Sequence, residues 1–295
     1  MKVTIIGGGK IGAAIAKIIE PNAGEISIWD IDPKKIRGES ELSAAITGAD
    51  LLFLCVPSWA HLDVLQKLKP ILQKNTQVVS LAKGMVPWGA KPMLIAEILR
   101  ANLPSGQGFA VLSGPMIAEE LVLGKPGAAV LASESKFGIA KLAPLFQKTN
   151  LRLEQSEDLA GVCVAGVLKN IYALAVGTVE GAGFADRSLR VLMEMCLDEM
   201  LRVGVRLGAK AETMKGLSGR EDFLVTAVSK YSHNRLAGME IGQYGSTERM
   251  SEGIASLEAT AKRLGKAEDA PIFSALRGIV SQETTAREAF KDILK

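Results

Sequence analysis

The chain has 295 residues, 48% of them hydrophobic and 23% charged, which is enough to bury a large core, points to two domains, and excludes a largely disordered protein. Lys and Arg number 35 against 32 Asp and Glu, and the absence of a basic run argues against nucleic acid as a partner. No segment offers the roughly 20 unbroken apolar residues of a membrane span. Cys55, Cys163 and Cys196 are far apart, each in an apolar run, so the expectation is a cytoplasmic protein with reduced core thiols, with no disulfide framework and no metal cluster.

The first predicted element is a strand over Val3 to Ile6, followed by Gly7-Gly8-Gly9-Lys10-Ile11-Gly12 and an Ala-rich helix over Ala13 to Ile19. Glycines between a strand and a helix N-terminus suit a dinucleotide: Gly7 for the tight turn, Gly9 for backbone approach to a pyrophosphate, Gly12 for close packing of helix on strand. The second strand, Ile26 to Trp29, ends at Asp30, 18 residues after Gly12, near the spacing expected of an acid that accepts from the adenosine ribose. A carboxylate there repels a 2′-phosphate, so NAD is favoured over NADP, although Lys34 and Lys35 just downstream could neutralise one.

The third and fourth strands, Leu51 to Val56 and Gln77 to Leu81, run into Pro57-Ser58 and Ala82-Lys83-Gly84. Both loops fall at the carboxyl edge where open sheets bind ligands, which assigns them to the nicotinamide half. His61, at a helix start, could face that ring, but is more ordinarily a surface or capping residue; Trp29, Trp59 and Trp88 read as packing. Phe109 to Leu112 and Ala128 to Ala132 complete the strands of a predicted α/β Rossmann domain over residues 1–157, a parallel sheet with helices on both faces.

From about Asp158 the periodicity becomes helical, over Ala160 to Val179, Ser188 to Leu207, Thr247 to Leu264 and Pro271 to Ile279, so residues 158–295 are predicted as an all-α domain. An isolated helical lysine is ordinarily solvated, but Lys169 interrupts the apolar stretch Val162 to Val176, whose burial tolerates a charge only with partners. The glycine-rich Gly177 to Gly183 segment is expected to end that helix and to flex near the site.

Taken in order, Gly7 to Gly12, Cys55-Val56-Pro57-Ser58, Ala82-Lys83-Gly84, Ser113-Gly114-Pro115 with Ala118 and Glu119, Gly166-Val167-Leu168-Lys169-Asn170, Gly216-Leu217-Ser218-Gly219 with Asp222 and Thr226, Ser232 to Gly238, and Ser251-Glu252-Gly253 form a series over nearly the whole chain. The chain resembles the NAD(P)-dependent glycerol-3-phosphate dehydrogenases. The resemblance implies interconversion of dihydroxyacetone phosphate and sn-glycerol 3-phosphate, a place in glycerophospholipid metabolism, a homodimer, and a small phosphorylated substrate bound in a cleft between the domains. By position it makes Lys169 the catalytic lysine, with Lys83, Asp222 and Thr226 about it. It assigns Lys83, Gly114, Lys169, Asn170, Asp222, Ser232, His233, Asn234 and Arg235 to the substrate, and Lys10, Ile11, Pro57, Ser58, Lys83, Ala118 and Glu252 to the cofactor, beside Gly7, Gly9, Gly12 and Asp30.

These residue types suit the chemistry. Hydride addition puts negative charge on a ketone oxygen, which a nearby ammonium stabilises and then protonates, acting as base in reverse. Lys83 would push the pKa of Lys169 down, and Asp222 would hold Lys169 in place and oppose that push.

Three departures bear on the substrate. His233 stands where the family has an arginine that grips phosphate, and lacks the permanent charge and donor fork of that residue, leaving Arg235 as a replacement. Met116 replaces a Ser or Thr hydroxyl, and the segment from Asp32 to Leu51 is short. These departures leave two alternatives open: a reductase of another small substrate, an imine or hydroxy acid, as in the pyrroline-5-carboxylate reductases, or a non-catalytic dinucleotide sensor.

Overall fold

The computed structural model describes residues 1–89, 91–134 and 140–295. The chain divides into two compact units, Met1–Ala82 with Ile95–Leu159, and Lys83–Leu94 with Ala160–Lys295. Its strands are β1 (Lys2–Ile6), β2 (Glu25–Trp29), β3 (Leu51–Leu54), β4 (Gln77–Ser80), β5 (Met85–Val86), β6 (Met93–Leu94), β7 (Phe109–Ser113), β8 (Gly127–Ala132) and β9 (Leu151–Ser156).

The first unit is built on a seven-stranded sheet in the order β2-β1-β3-β4-β7-β8-β9. The order reverses at β1, with β2 on one side and β3 on the other, so the crevice beyond the carboxyl ends of β1 and β3 is the switch point where such sheets take ligands. All pairs of this sheet are parallel except β7 with β8, so it is the parallel-dominated sheet expected, with one antiparallel pair. The predicted strands all form, and β9 is an addition. Its sequence, Leu-Arg-Leu-Glu-Gln-Ser, is half-exposed at the sheet edge, so it lacks the continuous apolar run of a central strand.

Helices α1 (Lys10–Ile19), α2 (Leu42–Ile46), α3 (His61–Leu68), α4 (Ile95–Asn102) and α5 (Ala118–Val122) belong to this unit. Helix α1 buries Ala14, Ile15, Ile18 and Ile19 against Val3, Ile5, Phe53 and Leu112 of the sheet, each isoleucine contributing roughly 2 kcal/mol of apolar burial. That packing fixes where the α1 N-terminus points.

The second unit holds α6 (Leu159–Gly181, whose first residue lies in the other unit), α7 (Asp186–Arg206), α8 (Ala211–Lys215), α9 (Asp222–Val228), α10 (His233–Tyr244), α11 (Glu252–Leu264), α12 (Pro271–Val280) and α13 (Ala286–Lys291). Helix α6 is apolar all round and 94% of its most apolar window is buried. It has the length and hydropathy of a membrane span, although Lys169 and Asn170 keep it from being an unbroken apolar run. Its burial is that of a core helix.

Helix α6 ends within the Gly177 to Gly183 stretch, as expected: its last residue is Gly181, and Gly183 just beyond takes φ +79°, the left-handed conformation that closes a helix. A Cβ on Gly177 or Gly181 would lie 2.1 Å from the carbonyl oxygens of Arg235 and Met239, and a Cβ on Gly238 or Gly242 would lie 2.1 and 2.0 Å from those of Leu174 and Thr178. The glycines of α6 and α10 thus let two helix backbones touch.

The predicted start of α11 at Thr247 is also corrected. Thr247 and Arg249 both bond to Glu240, and Ser251 accepts from the Ile254 N–H as N-cap. The preceding stretch is thereby held as a cross-linked loop, and the helix begins at Glu252.

Candidate active site

The turn after β1 has the geometry a dinucleotide requires. Gly7 has φ +104° and packs against the Cys55 carbonyl, and a Cβ on Gly12 would lie 2.0 Å from the Gly7 oxygen, so neither position admits a side chain. Among the described residues, a Cβ on Gly9 would meet nothing within 4 Å and no side chain caps the α1 N-terminus. An open backbone face beside uncapped N–H groups fits a pyrophosphate. Lys10 opens α1 and pairs with Glu119 at 2.6 Å, while Ile11 packs on the core and Ala118, buried, begins α5.

Asp30 is half-buried and accepts from the Gly8 N–H at 2.7 Å and the Asp32 N–H at 2.8 Å. It therefore pins the glycine turn, and each oxygen keeps one lone pair for a ribose hydroxyl. Lys35 pairs with Asp32 at 3.3 Å.

At the carboxyl ends of β3 and β4, Pro57 is exposed and Ser58 buried. His61 is fully buried, not a surface or capping residue as its place at a helix start suggested. Its ring nitrogens lie 3.1 Å from the Pro57 oxygen and 2.8 Å from Ser80 Oγ. Trp59 and Trp88 are 38% and 37% exposed, so each packs over most but not all of its surface, whereas Trp29 is half-buried and donates to the Ser40 carbonyl. Gly114 has φ +122°, and Met116 packs against the first unit's core, which is what it gains for the hydroxyl it lacks. Cys55, Cys163 and Cys196 are buried free thiols.

The second unit brings Lys169, Lys83, Asp222 and Thr226 together. Asp222 Oδ2 lies 2.6 Å from Lys83 Nζ and Oδ1 lies 3.2 Å from Lys169 Nζ, with Asp222 and Lys169 side chains 3% and 9% exposed. Lys169 also donates to Thr226 Oγ1 at 2.9 Å, and the threonine hydroxyl donates to Asp222 Oδ1 at 3.2 Å. Two of the three ammonium N–H groups are thereby used, and the third has no partner among the described residues.

Burial brings the Lys169 pKa down to about 8, with Lys83 adding to the fall and Asp222 and Glu252 opposing it. A group with that pKa can give or take a proton near neutral pH. Asp222 starts α9 directly after a π-helical turn over Leu217–Glu221, a local widening of the helix common at functional sites. Gly219 permits that turn, since a Cβ there would lie 2.1 Å from the Met214 oxygen.

Lys83 is mounted on the helical unit by short-range ties. Asn170 Nδ2 donates to the Lys83 carbonyl at 2.9 Å, and the Met85 N–H, in the β5–β6 hairpin, donates to Ser256 Oγ at 3.0 Å. Asn234 Nδ2 donates to Asn170 Oδ1 at 2.8 Å, and Asn234 Oδ1 accepts from the Gly253 N–H at 2.8 Å. The two asparagines assigned to substrate thus also lock α6, α10, α11 and the Lys83 segment in register.

Ser232 caps α10 by accepting from the Arg235 N–H, and His233 is exposed in its first turn. Arg235 does not stand free to replace the missing arginine, because its guanidinium is paired with Glu180. Nothing in the sequence pattern singled out Glu180, or Ser80 as the partner of His61.

Two family models match the chain: NAD-dependent glycerol-3-phosphate dehydrogenase N-terminus over residues 31–137 and the C-terminus of the same family over residues 158–291. The chain is 31% identical to glycerol-3-phosphate dehydrogenase [NAD(P)+] 2 of Sphingopyxis alaskensis, covering 100% of this chain and 96% of that protein. It is 33% identical to glycerol-3-phosphate dehydrogenase [NAD(P)+] of Agrobacterium fabrum, covering 99% and 97%. The crystal structure of glycerol-3-phosphate dehydrogenase from Coxiella burnetii superposes with a TM-score of 0.88 at 24% identity, covering 100% of this chain and 98% of that one, a likeness of fold.

Proposed function

Because the chain belongs to the NAD-dependent glycerol-3-phosphate dehydrogenase family, we propose that it interconverts dihydroxyacetone phosphate and sn-glycerol 3-phosphate, with Lys169 as general acid and base. The observation that carries the assignment is the buried arrangement in which Asp222 is shared by Lys83 and Lys169 and leaves one Lys169 N–H unused.

NADH or NADPH, when bound, supplies the hydride that the carbonyl carbon of the ketone accepts. The carbonyl π electrons move onto oxygen, where the remaining Lys169 N–H meets the developing charge and the ammonium transfers its proton. Neutral Lys169 regains a proton from solvent; in the alcohol-to-ketone direction it starts neutral and takes the hydroxyl proton. Asp222 and Thr226 orient the ammonium throughout. Lys83, on the opposite carboxylate oxygen, adds positive potential and lowers the Lys169 pKa toward the working range. Gly7, Gly9, Gly12, Lys10 and Ile11 are assigned to the pyrophosphate and Asp30 to the ribose, with NAD favoured. Ser232, His233, Asn234 and Gly114 are assigned to the substrate. A cytoplasmic homodimer acting in glycerophospholipid metabolism completes the proposal and rests on the family resemblance alone.

A panel followed by NADH absorbance tests it. Turnover of dihydroxyacetone phosphate with pyrroline-5-carboxylate inert is the expected result. Turnover of the imine alone would move the chain to the imine reductases, and tight NADH binding without turnover of any phosphorylated ketone would make it a sensor.

A further inference from the structure

His61 is a buried titratable group that the proposed reaction does not use. Its hydrogen bonds have a determined direction. The Pro57 carbonyl can only accept, so the 3.1 Å contact places the proton on Nδ1. Nε2 then carries a lone pair and accepts from the Ser80 hydroxyl at 2.8 Å. With its proton committed to the ring, the Ser80 oxygen accepts from the Ala82 N–H at 3.2 Å. Burial lowers the imidazole pKa to about 4, with the Pro57 bond opposing, so the ring is neutral at pH 7 as this sequence of bonds demands.

The result is one relay, from the Ala82 N–H through Ser80 and His61 to the Pro57 carbonyl. It joins the turns that leave two neighbouring parallel strands, β3 and β4, at the carboxyl edge of the sheet. The Leu81 N–H to Leu54 carbonyl bond closes the same gap on the backbone at 3.0 Å. Beyond that ladder bond the imidazole adds a side-chain cross-brace between the Val56-Pro57-Ser58 turn and Ser80.

We propose that His61 and Ser80 are positioning residues for the nicotinamide half of the cofactor, holding the Pro57-Ser58 turn in the orientation that receives the ring without touching the ring themselves. The inference rests on the dehydrogenase reading and on the assignment of Pro57 and Ser58 to the cofactor. A pair that served only to fill the core would affect all ligands of this unit alike. A brace on this turn affects the ligand whose ring reaches it and spares one that ends at the second ribose.

The test uses the full chain and two probes, NADH and ADP-ribose, which lacks the nicotinamide. Ser80→Ala, a small change that leaves Nε2 and the Ala82 N–H without their partner, is expected to raise the Kd for NADH about five- to tenfold while that for ADP-ribose stays within about twofold. His61→Leu is expected to give the same split with a larger NADH effect. In the unsubstituted protein, ¹⁵N-labelled histidine should report His61 protonated at Nδ1 at neutral pH. Equal effects on the two probes, no effect of Ser80→Ala on NADH, or a proton on Nε2 would each overturn the proposal. Failure of the unsubstituted protein to bind either probe would sink the dehydrogenase reading instead.

Discussion

Lys169 and Lys83 hold opposite oxygens of one carboxylate, Asp222 Oδ1 at 3.2 Å and Oδ2 at 2.6 Å. Both Asp222 and Lys83 couple electrostatically to Lys169: Asp222, with Glu252, opposes the fall that burial imposes on its pKa, and Lys83 adds to that fall.

The coupling sets a pH dependence with a definite sign. The reductive direction needs Lys169 charged, so kcat/KM for ketone reduction should be flat at lower pH and fall as pH rises through about 8, while that for alcohol oxidation should rise to a plateau through the same value. Stopped-flow or steady-state profiles in both directions check this. Lys169→Ala should remove both limbs, lower kcat by about a hundredfold or more, and leave the Kd for NADH within a few fold.

Changing the two partners of Lys169 should move that midpoint in opposite directions. Lys83→Met removes a like charge and leaves Asp222 to Lys169 alone, so the midpoint should rise above 8; Asp222→Asn removes the anion that opposes the fall, so it should drop. Parallel shifts, or none, would contradict the shared-carboxylate account.

His233→Arg places a permanent fork of charge in the first turn of α10, and the KM for dihydroxyacetone phosphate should fall. Glu180→Gln should lower the same KM by releasing Arg235 from its pair. If both variants raise the KM, the ligand at this end carries no phosphate.

Gly238→Ala should destabilise the protein although alanine favours helices by up to about 1 kcal/mol. The added Cβ would lie 2.1 Å from the Leu174 carbonyl oxygen, backbone that cannot step aside, so a loss of about 3 kcal/mol or more is expected in urea unfolding.

Glu199 accepts from Tyr172 Oη at 2.9 Å and from the Ile272 and Phe273 N–H groups at 3.0 and 2.8 Å, capping the start of α12. Burial raises its pKa above the ordinary 4.5, with those N–H groups opposing. A carboxyl that binds its proton more tightly when folded favours the folded state most below the unfolded pKa, and that contribution is lost as pH rises through the raised value. Glu199→Gln should flatten this part of the stability profile and weaken the α12 cap by about 1 kcal/mol, as urea titrations at several pH values would reveal.

Much of this arrangement was legible because it depends on local spacing. Gly7, Gly9, Gly12 and Asp30 lie within one strand-helix-strand unit, and Lys169 announced its burial by interrupting an apolar helix. The grouping of Lys83 with Lys169, Asp222 and Thr226 came from order and resemblance, since periodicity cannot bring residues 139 positions apart into contact. What escaped depends on tertiary partners. That Gly177 and Gly181 also admit the backbone of α10 cannot be read from a stretch that signals only a helix end. His61 looks like a helix-start residue until Ser80 is placed beside it. The strand over Leu151–Ser156 is hidden because an edge strand needs apolar side chains on only one face.

The glycine-lined crossing of α6 and α10 has a consequence for redesign. Main chain rests on main chain there, so the spacing of the two helices is set by the lack of a side chain at Gly177, Gly181, Gly238 and Gly242. The exposed His233 side chain can then be exchanged as one changes a tool bit in a chuck, while the mount that carries Lys169 keeps its alignment.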